Sequence, residues 1–384
     1  MTRVLQVATV VTPDGAYGGP ITVARNMSEA LIKRGYSVAL VAGYRGYDRA
    51  PRRVGRVPSA LFPVRSVGSR WGFAGYVSPG LILWLLRSIR ANDIVHVHIA
   101  RDLVTLPAAV IALLFRRNLV LQPHGMIDAP SRMSASLIDA IATRWVLAKA
   151  CTVMCLTQEE CAEIRTISPR STVRVVPNGV PESPVPLERS RPLRKRVLFL
   201  ARLHRRKRPT VFVEAARSLL HEGIDAEFEI AGPDEGELDR VVEAVAAANM
   251  GDRIVIGGPV APGEVPAHLA RADVYVLPSV DEPFPMTALE AMSVGTPVIV
   301  TRTCGIAKLV TQSGAGAVVD ESVADLVAAI RQLITDDDHW RQVSRCAERC
   351  SRDEFGMDAV LDTVVEVYDG LSRKGCRSRG SRPG

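Results

Sequence analysis

VVPNGVPESPVPLERSRPLRKRVLFLARL, residues Val175 to Leu203, decides the architecture of this chain. From Val175 to Arg196 it is rich in proline and charge. Proline fixes φ and removes a backbone donor, so neither helix nor strand runs through it. At RVLFL the chain turns abruptly apolar, with the length and branching of a buried strand. Upstream, RVLQVATVV reads as a strand and PITVARNMSEALIKRG as a helix closed by Gly35. SVALVAG is a strand, LILWLLRSIRAN a helix and DIVHVHIA a strand. Downstream, PTVFVEAARSLLHEG reads as a helix, and AEFEIAG, RIVIGGPV, ADVYVLPS and TPVIVT as further strands. Strands alternating with helices imply a parallel sheet covered on both faces. Two such series flank one linker.

The fold class is therefore α/β, two doubly wound Rossmann-like domains facing a central cleft. The expected boundaries are 1–180, a linker at 181–196, 197–371, and a disordered basic tail at 372–384. The final helix, 353–371, is expected to pack back on the N-terminal domain. Ligands of such sheets bind at the carboxyl ends of the strands, and facing domains share a cleft.

Composition narrows the class. The 384 residues are 47% hydrophobic and 23% charged, ordinary for a globular protein. The N-terminal MTRVLQVATVV is too short and too interrupted by polar residues for a signal peptide. The apolar run Leu103–Phe115 contains Thr105 and Pro107 and falls short of the roughly 20 residues of a membrane span. Seven scattered cysteines without a CxxC pair indicate reduced thiols in a cytoplasm. The net charge is +7, with ten Lys or Arg between Arg189 and Arg208 and five more from Arg373 to Arg382. Such density suits phosphate-bearing partners. Few aromatic residues and no recognisable motif argue against nucleic acid.

Three local patterns carry chemistry. ARLHRRKRP, Ala201 to Pro209, follows a strand, where Arg202 and Lys207 can share one diphosphate. DEPFPMTALEAM places Glu282 among prolines and Glu290 inside the following helix. Pro285 suits the first turn of that helix, whose amides and dipole favour an anion. Two carboxylates can bind two sets of hydroxyls with phosphate between them, as in a nucleotide sugar. His96 and His98 share one strand face, where packing or acceptor lining outweighs metal binding. Asp336, Asp337 and Asp338 read as a helix cap, and no metal site is assigned.

Taken in order along the chain, GGP at Gly18–Pro20, HVH, QPHGM, PNGV, ARLHRRKRP, ADVYVLPS and EPFPMTALEAMSVGTPVIV resemble the retaining glycosyltransferases of family 4, which have the GT-B fold. The resemblance implies a metal-independent hexosyltransferase in which Arg202 and Lys207 hold the donor diphosphate. Glu290 then binds ribose and Glu282 the transferred sugar. His124 lies beside the anomeric centre, and Gly18 and Gly19 border the diphosphate and the acceptor. His124 and Glu282 are the catalytic candidates. Phe284, Pro285, Met286 and Thr287 complete the donor set. The family usually has glycine where this chain has Pro285, so one amide donor to the sugar is missing. The substrate is a nucleoside-diphosphate sugar, UDP favoured over GDP, with no separate cofactor.

The acceptor is expected to be a glycan or lipid-linked sugar, in polysaccharide or glycolipid synthesis. Loop 44–76, with Arg45, Arg49, Arg52, Arg53, Arg56, Arg65, Arg70, Trp71, Phe73 and Tyr76, suits an anionic membrane face or a solvated insertion equally. The protein is thus expected in the cytoplasm or peripherally on the inner membrane face. The rival readings are a GT-B sugar-nucleotide epimerase, which would keep the nucleotide sugar intact, and a non-catalytic nucleotide-binding protein.

Overall fold

The computed structural model describes residues 1–13, 18–68, 74–127, 142–182 and 194–374. Two compact units divide the chain: Met1–Gly179 together with the chain from Met357, and Val180–Gly356.

The strands of the first unit are β1 Arg3–Val11, β2 Ser37–Tyr44, β3 Arg53–Val54, β4 Val57–Pro63, β5 Arg65–Ser66, β6 Tyr76–Val77, β7 Ile94–His98, β8 Asn118–Gln122, β9 Thr152–Cys155 and β10 Val173–Val175. Its main sheet has the order β10-β9-β8-β7-β1-β2-β4-β3, and β5 pairs separately with β6. All main-sheet pairs are parallel except the short β3–β4 pair. After Arg3 every residue of β1 is buried, as is all of β7, because helices cover both faces. The core is built from Leu5, Val7, Val95, Val97, Leu119 and Leu121 with the helices Pro79–Ser88 and Thr105–Leu114.

In the second unit β11 Lys195–Leu200, β12 Ala226–Ala231, β13 Ile254–Gly258, β14 Val274–Leu277, β15 Val298–Thr301 and β16 Gly316–Val319 form one sheet in the order β13-β12-β11-β14-β15-β16. Every pair is parallel. The helix Pro209–His221 starts at Pro209, where the absent N–H costs nothing, and buries Phe212, Val213, Ala216 and Leu219 on the sheet.

Two expectations are corrected. The 44–76 stretch is not a plain loop: it carries β3, β4 and β5, and β4 pairs parallel with β2 from Leu40↔Ser59 to Tyr44↔Pro63. Pro58 and Pro63 hid it, because proline weakens a strand reading although the sheet margin tolerates it. Arg70, Trp71 and Phe73 lie outside the described residues, as do 183–193 of the expected linker and 375–384 of the expected tail. The final helix is Met357–Lys374 and does not begin at 353. Gly356, at φ −52° and ψ 135°, ends the preceding helix Asp337–Phe355, and the Val180 N–H caps the Phe355 carbonyl at 2.8 Å. Asp336 caps that preceding helix by accepting from the Asp338 and His339 N–H groups at 3.1 and 2.9 Å.

The final helix belongs to the first unit. Arg34 pairs with Asp358 and Asp362, Tyr36 donates to Asp369 at 3.0 Å, Arg174 pairs with Glu366, and Tyr368 is fully buried. Among the described residues no helix is long and apolar enough to cross a membrane.

Candidate functional site

Each unit presents its candidate residues at the carboxyl ends of strands, where the strand order reverses. In the second unit that point lies between β11 and β14, which pair through Val197↔Val274 and Leu198↔Tyr275. The chain leaves β11 into Ala201–Arg208 and leaves β14 into Pro278–Pro285. The two loops are tied together. The Val280 N–H donates to the Arg206 carbonyl at 2.9 Å, and Arg206 donates to the Asp281 carbonyl. Lys207 pairs with Glu282, their side chains only 14% and 13% exposed. Arg208 and Asp281 both have positive φ, 53° and 49°. That conformation costs an L-residue roughly 1–2 kcal/mol, and here it turns both loops back over the sheet end.

Arg202 is held by both oxygens of Glu235, at 2.7 and 2.9 Å. Each cation that the sequence assigns to a diphosphate is therefore already paired with a carboxylate. Pro285 sits at φ −81° and ψ 95° just before the helix Met286–Ser293, one position outside the expected first turn. Its carbonyl accepts from the Ala288 and Leu289 N–H groups at 3.1 and 3.3 Å. The Met286 and Thr287 amides thus head the helix as donors for an anion. Phe284 is buried edge-on against Phe355, ring centroids 5.8 Å apart, and anchors the loop from below. Glu290 is half-buried on the helix. The Tyr275 phenol, buried beneath, donates to the Leu200 carbonyl at 3.1 Å. Its pKa is pushed well up, first by burial and then by the charges of Glu282 and Glu290.

Gly305 was not foreseen as part of this site. Its N–H donates to the Glu282 carbonyl at 2.8 Å, and a Cβ there would stand 1.9 Å from the Pro283 carbonyl oxygen. Gly232, at φ 142°, makes the same approach to Ala201, next to Arg202, where a Cβ would stand 1.8 Å from the carbonyl oxygen. An isolated glycine between strand and helix gives little sequence signal beyond a turn. Gly305→Ala is expected to displace the Glu282 loop and cost about 1–3 kcal/mol of stability. Thermal denaturation of that variant beside Gly263→Ala, where a Cβ would meet nothing within 4 Å, checks it; equal melting temperatures for Gly305→Ala and wild type would refute it.

In the first unit the reversal falls between β1 and β7. Gly18 and Gly19 open the helix Gly18–Lys33 after β1. A Cβ at Gly19 would meet nothing within 4 Å, so packing alone does not demand glycine. His124 follows β8 at φ 55°, with Gly125 at φ 70°. Glu160, from the helix Gln158–Ile167, fixes this turn by accepting from the Gly125 and Leu156 N–H groups, both at 2.5 Å. Burial pushes the Glu160 carboxyl up, and the two N–H bonds oppose that. His96, His98 and His124 lie with rings nearly parallel, centroids 4.8 and 5.0 Å apart in succession. Burial holds His96 and His124 down at about 3, and His98 well below its ordinary value. All three are therefore neutral near pH 7. Among the described residues no group of three or more His, Cys, Asp or Glu is placed to hold a metal ion.

Comparison with known proteins agrees with this layout. The family model described as Glycosyltransferase Family 4 matches residues 17–183, and that described as Glycosyl transferases group 1 matches 188–349. A D-inositol 3-phosphate glycosyltransferase of Arthrobacter sp. (strain FB24) is 32% identical over 175 residues. That match covers 45% of this chain and 42% of the relative, so it spans under half of the relative's length. A 2-deoxystreptamine glucosyltransferase of Streptomyces kanamyceticus is 28% identical over 89% of this chain and 96% of its own. Among solved structures, Anabaena Alr3699/HepE in complex with UDP-glucose superposes with a TM-score of 0.75 at 17% identity, over 97% of this chain and 100% of that one. Sucrose-phosphate synthase from Thermosynechococcus elongatus does so at 0.76 and 18%, over 98% and 100%. These likenesses establish the GT-B fold.

Proposed function

We propose that this chain, which belongs to glycosyltransferase family 4, moves a sugar from a nucleoside-diphosphate donor to an acceptor hydroxyl with retention of anomeric configuration. The observation that carries the reading lies in the second unit. Two cations, two carboxylates and a helix N-terminus converge on the carboxyl ends of β11 and β14, at the point where the strand order reverses.

In this reading Arg202 and Lys207 exchange their carboxylate partners for the donor diphosphate. With the Met286 and Thr287 amides they neutralise the charge that grows on the leaving group as the glycosidic bond breaks. Glu290 takes the ribose hydroxyls. Glu282, released from Lys207, takes hydroxyls of the transferred sugar, and His124 with Gly18 and Gly19 serves the sugar and acceptor side. Pro285 offers no N–H, so it contributes shape alone. A UDP-sugar is favoured as donor, in keeping with the UDP-glucose complex of Anabaena Alr3699/HepE. For the acceptor we favour a glycan or lipid-linked sugar. The exposed Arg45, Arg49, Arg52, Arg53, Arg56 and Arg65 support an anionic acceptor or membrane surface on the first unit.

The test separates the two carboxylates. Glu290→Gln is expected to weaken free UDP and UDP-sugar alike, about tenfold, because both carry ribose. Glu282→Gln is expected to leave free UDP affinity within about twofold and to lower kcat, since its contacts strengthen in the transition state. Titration calorimetry and initial rates on both variants read this out. Wild-type affinity and turnover in both would remove the reading's main support.

A further inference from the structure

The histidine row of the first unit continues into a buried chain of hydrogen bonds that reaches Tyr368 of the final helix. His124 Nε2 lies 2.7 Å from His98 Nδ1, and His98 Nε2 lies 2.9 Å from Gln6 Oε1. The Gln6 amide nitrogen faces the Tyr368 hydroxyl at 3.4 Å and the Met27 sulfur at 3.8 Å. The same hydroxyl lies 2.7 Å from His96 Nδ1. Gln6, His96, His98 and Tyr368 have no solvent exposure. No water shell averages their proton positions, and each bond must have one donor and one acceptor.

The direction of the chain follows from its ends. A thioether sulfur has lone pairs and no proton, so the Gln6 group facing Met27 is the NH2. Gln6 Oε1 then faces His98 and accepts from it, which places the His98 proton on Nε2 and leaves His98 Nδ1 a bare acceptor. His124 must therefore donate to it from Nε2. The rings are 11° from parallel with centroids 5.0 Å apart. That separation is the N···N distance plus the two ring radii, so the bond runs along the line joining the rings, in their common plane, as an N–H···N bond requires. At the far end, Tyr368 accepts from Gln6, and its own buried proton finds its acceptor in His96 Nδ1, the other partner of the hydroxyl. This leaves a proton on His96 Nε2, a buried atom with no partner among the described residues.

We propose that Tyr368, Gln6 and His98 are positioning residues that hold a proton on Nε2 of His124, so that His124 offers its ligand a bare Nδ1. His124 is then an acceptor of a hydroxyl proton and no proton donor. Its burial beside two other neutral imidazoles keeps it from gaining a second proton. The arrangement carries one cost, an unpaired N–H on His96 Nε2 inside the core. It also gives the docking of the final helix, which carries Tyr368 from 362 residues downstream of Gln6, a consequence at His124. In the transferase reading, on which only the kinetic arm below rests, a donor or acceptor sugar hydroxyl bonds to that Nδ1.

Histidine-labelled 15N NMR tests the proton position directly. The His124 signals are assigned by their loss in His124→Asn. Wild type is expected to show a one-bond 1H–15N coupling at His124 Nε2 and a through-hydrogen-bond 15N–15N coupling from it to His98 Nδ1, from pH 6 to 8. A proton bonded to His98 Nδ1, or no such 15N–15N coupling, overturns the proposal whatever the enzyme transfers. His98→Phe keeps the flat ring and removes the acceptor. It is expected to lower kcat about tenfold, the size of one hydrogen bond, with free UDP affinity within twofold. Gln6→Met removes the amide that orients His98, and it is expected to populate both His124 tautomers. Should His98→Phe not fold, this variant and the wild-type spectrum carry the test. Tyr368→Phe is expected to act as a weaker version of Gln6→Met. A His124 spectrum unchanged in Gln6→Met would show that His124 sets its own tautomer and that the chain behind it is packing alone.

Discussion

Lys207→Met is expected to lower the affinity for UDP tenfold or more and to cost the second unit about 3 kcal/mol of stability. The two losses have separate causes. Lys207 and Glu282 form an ion pair in which neither side chain is more than 14% exposed. Removing the ammonium leaves a nearly buried carboxylate without its partner, and such an uncompensated charge costs far more than the pair contributes. In a unit of this size that loss lowers the melting temperature by about 6–12 °C. The affinity loss arises because the same ammonium is the one that turns to the diphosphate. The double variant Lys207→Met/Glu282→Gln separates the causes: it is expected to recover most of the melting temperature and none of the UDP affinity. Recovery of both, or of neither, would mean that Lys207 serves only one of the two roles. Melting curves with and without UDP, on the single and double variants, measure both quantities.

The second large effect is acid lability of the first unit. His96 is fully buried and titrates at about 3 when folded, against 6.5 when free. Between those values the unfolded chain binds a proton that the folded chain refuses. The stability that His96 contributes as a neutral residue is therefore present above pH 6.5 and is lost as pH falls through 6.5 toward 3. The slope is roughly 1.4 kcal/mol per pH unit, so the loss at pH 5 is about 2 kcal/mol from His96 alone. His98 and His124 are shifted in the same direction and add to it. The groups hydrogen-bonded to the row, Gln6 and Tyr368, carry no charge in this range and offer a histidinium no counter-ion. Urea unfolding followed by a probe in the first unit at pH 7.5, 6 and 5 should show this fall. His96→Phe should remove about one proton from the uptake on unfolding. An unfolding free energy that is flat from pH 7.5 to 5 would contradict the burial and neutrality of the row.

The fold was legible because its determinants are periodic. Apolar runs such as Val197–Leu200 and Val274–Leu277, separated by amphipathic helices, permit only a parallel sheet covered on both faces. The proline-rich stretch from Val175 to Arg196 separates two such sheets in any arrangement. The strand β4 was missed because its prolines weigh against a strand wherever the sheet margin is unknown, and the margin is a property of the whole sheet. The motifs likewise marked which loops carry charged and hydroxyl-binding residues, since those loops follow apolar strands and precede helix starts.

Pairing was decided elsewhere. That Lys207 meets Glu282 depends on β14 lying beside β11, that Arg202 meets Glu235 on β12 lying beside β11, and that Gly305 lies against Pro283 on β15 lying beside β14. No local preference within these loops encodes those neighbour relations. The proton on His124 is further still from the local sequence. It depends on Gln6 from the first strand and Tyr368 from the last helix meeting behind His98, where exclusion of water forces each bond to take one direction. Sequence alone determined the elements, their order and the kinds of side chain at the strand ends, because these follow from hydrophobic period and turn chemistry. Tertiary structure alone decided which charges neutralise one another and where the protons sit, because both depend on distance and burial between residues remote in the chain.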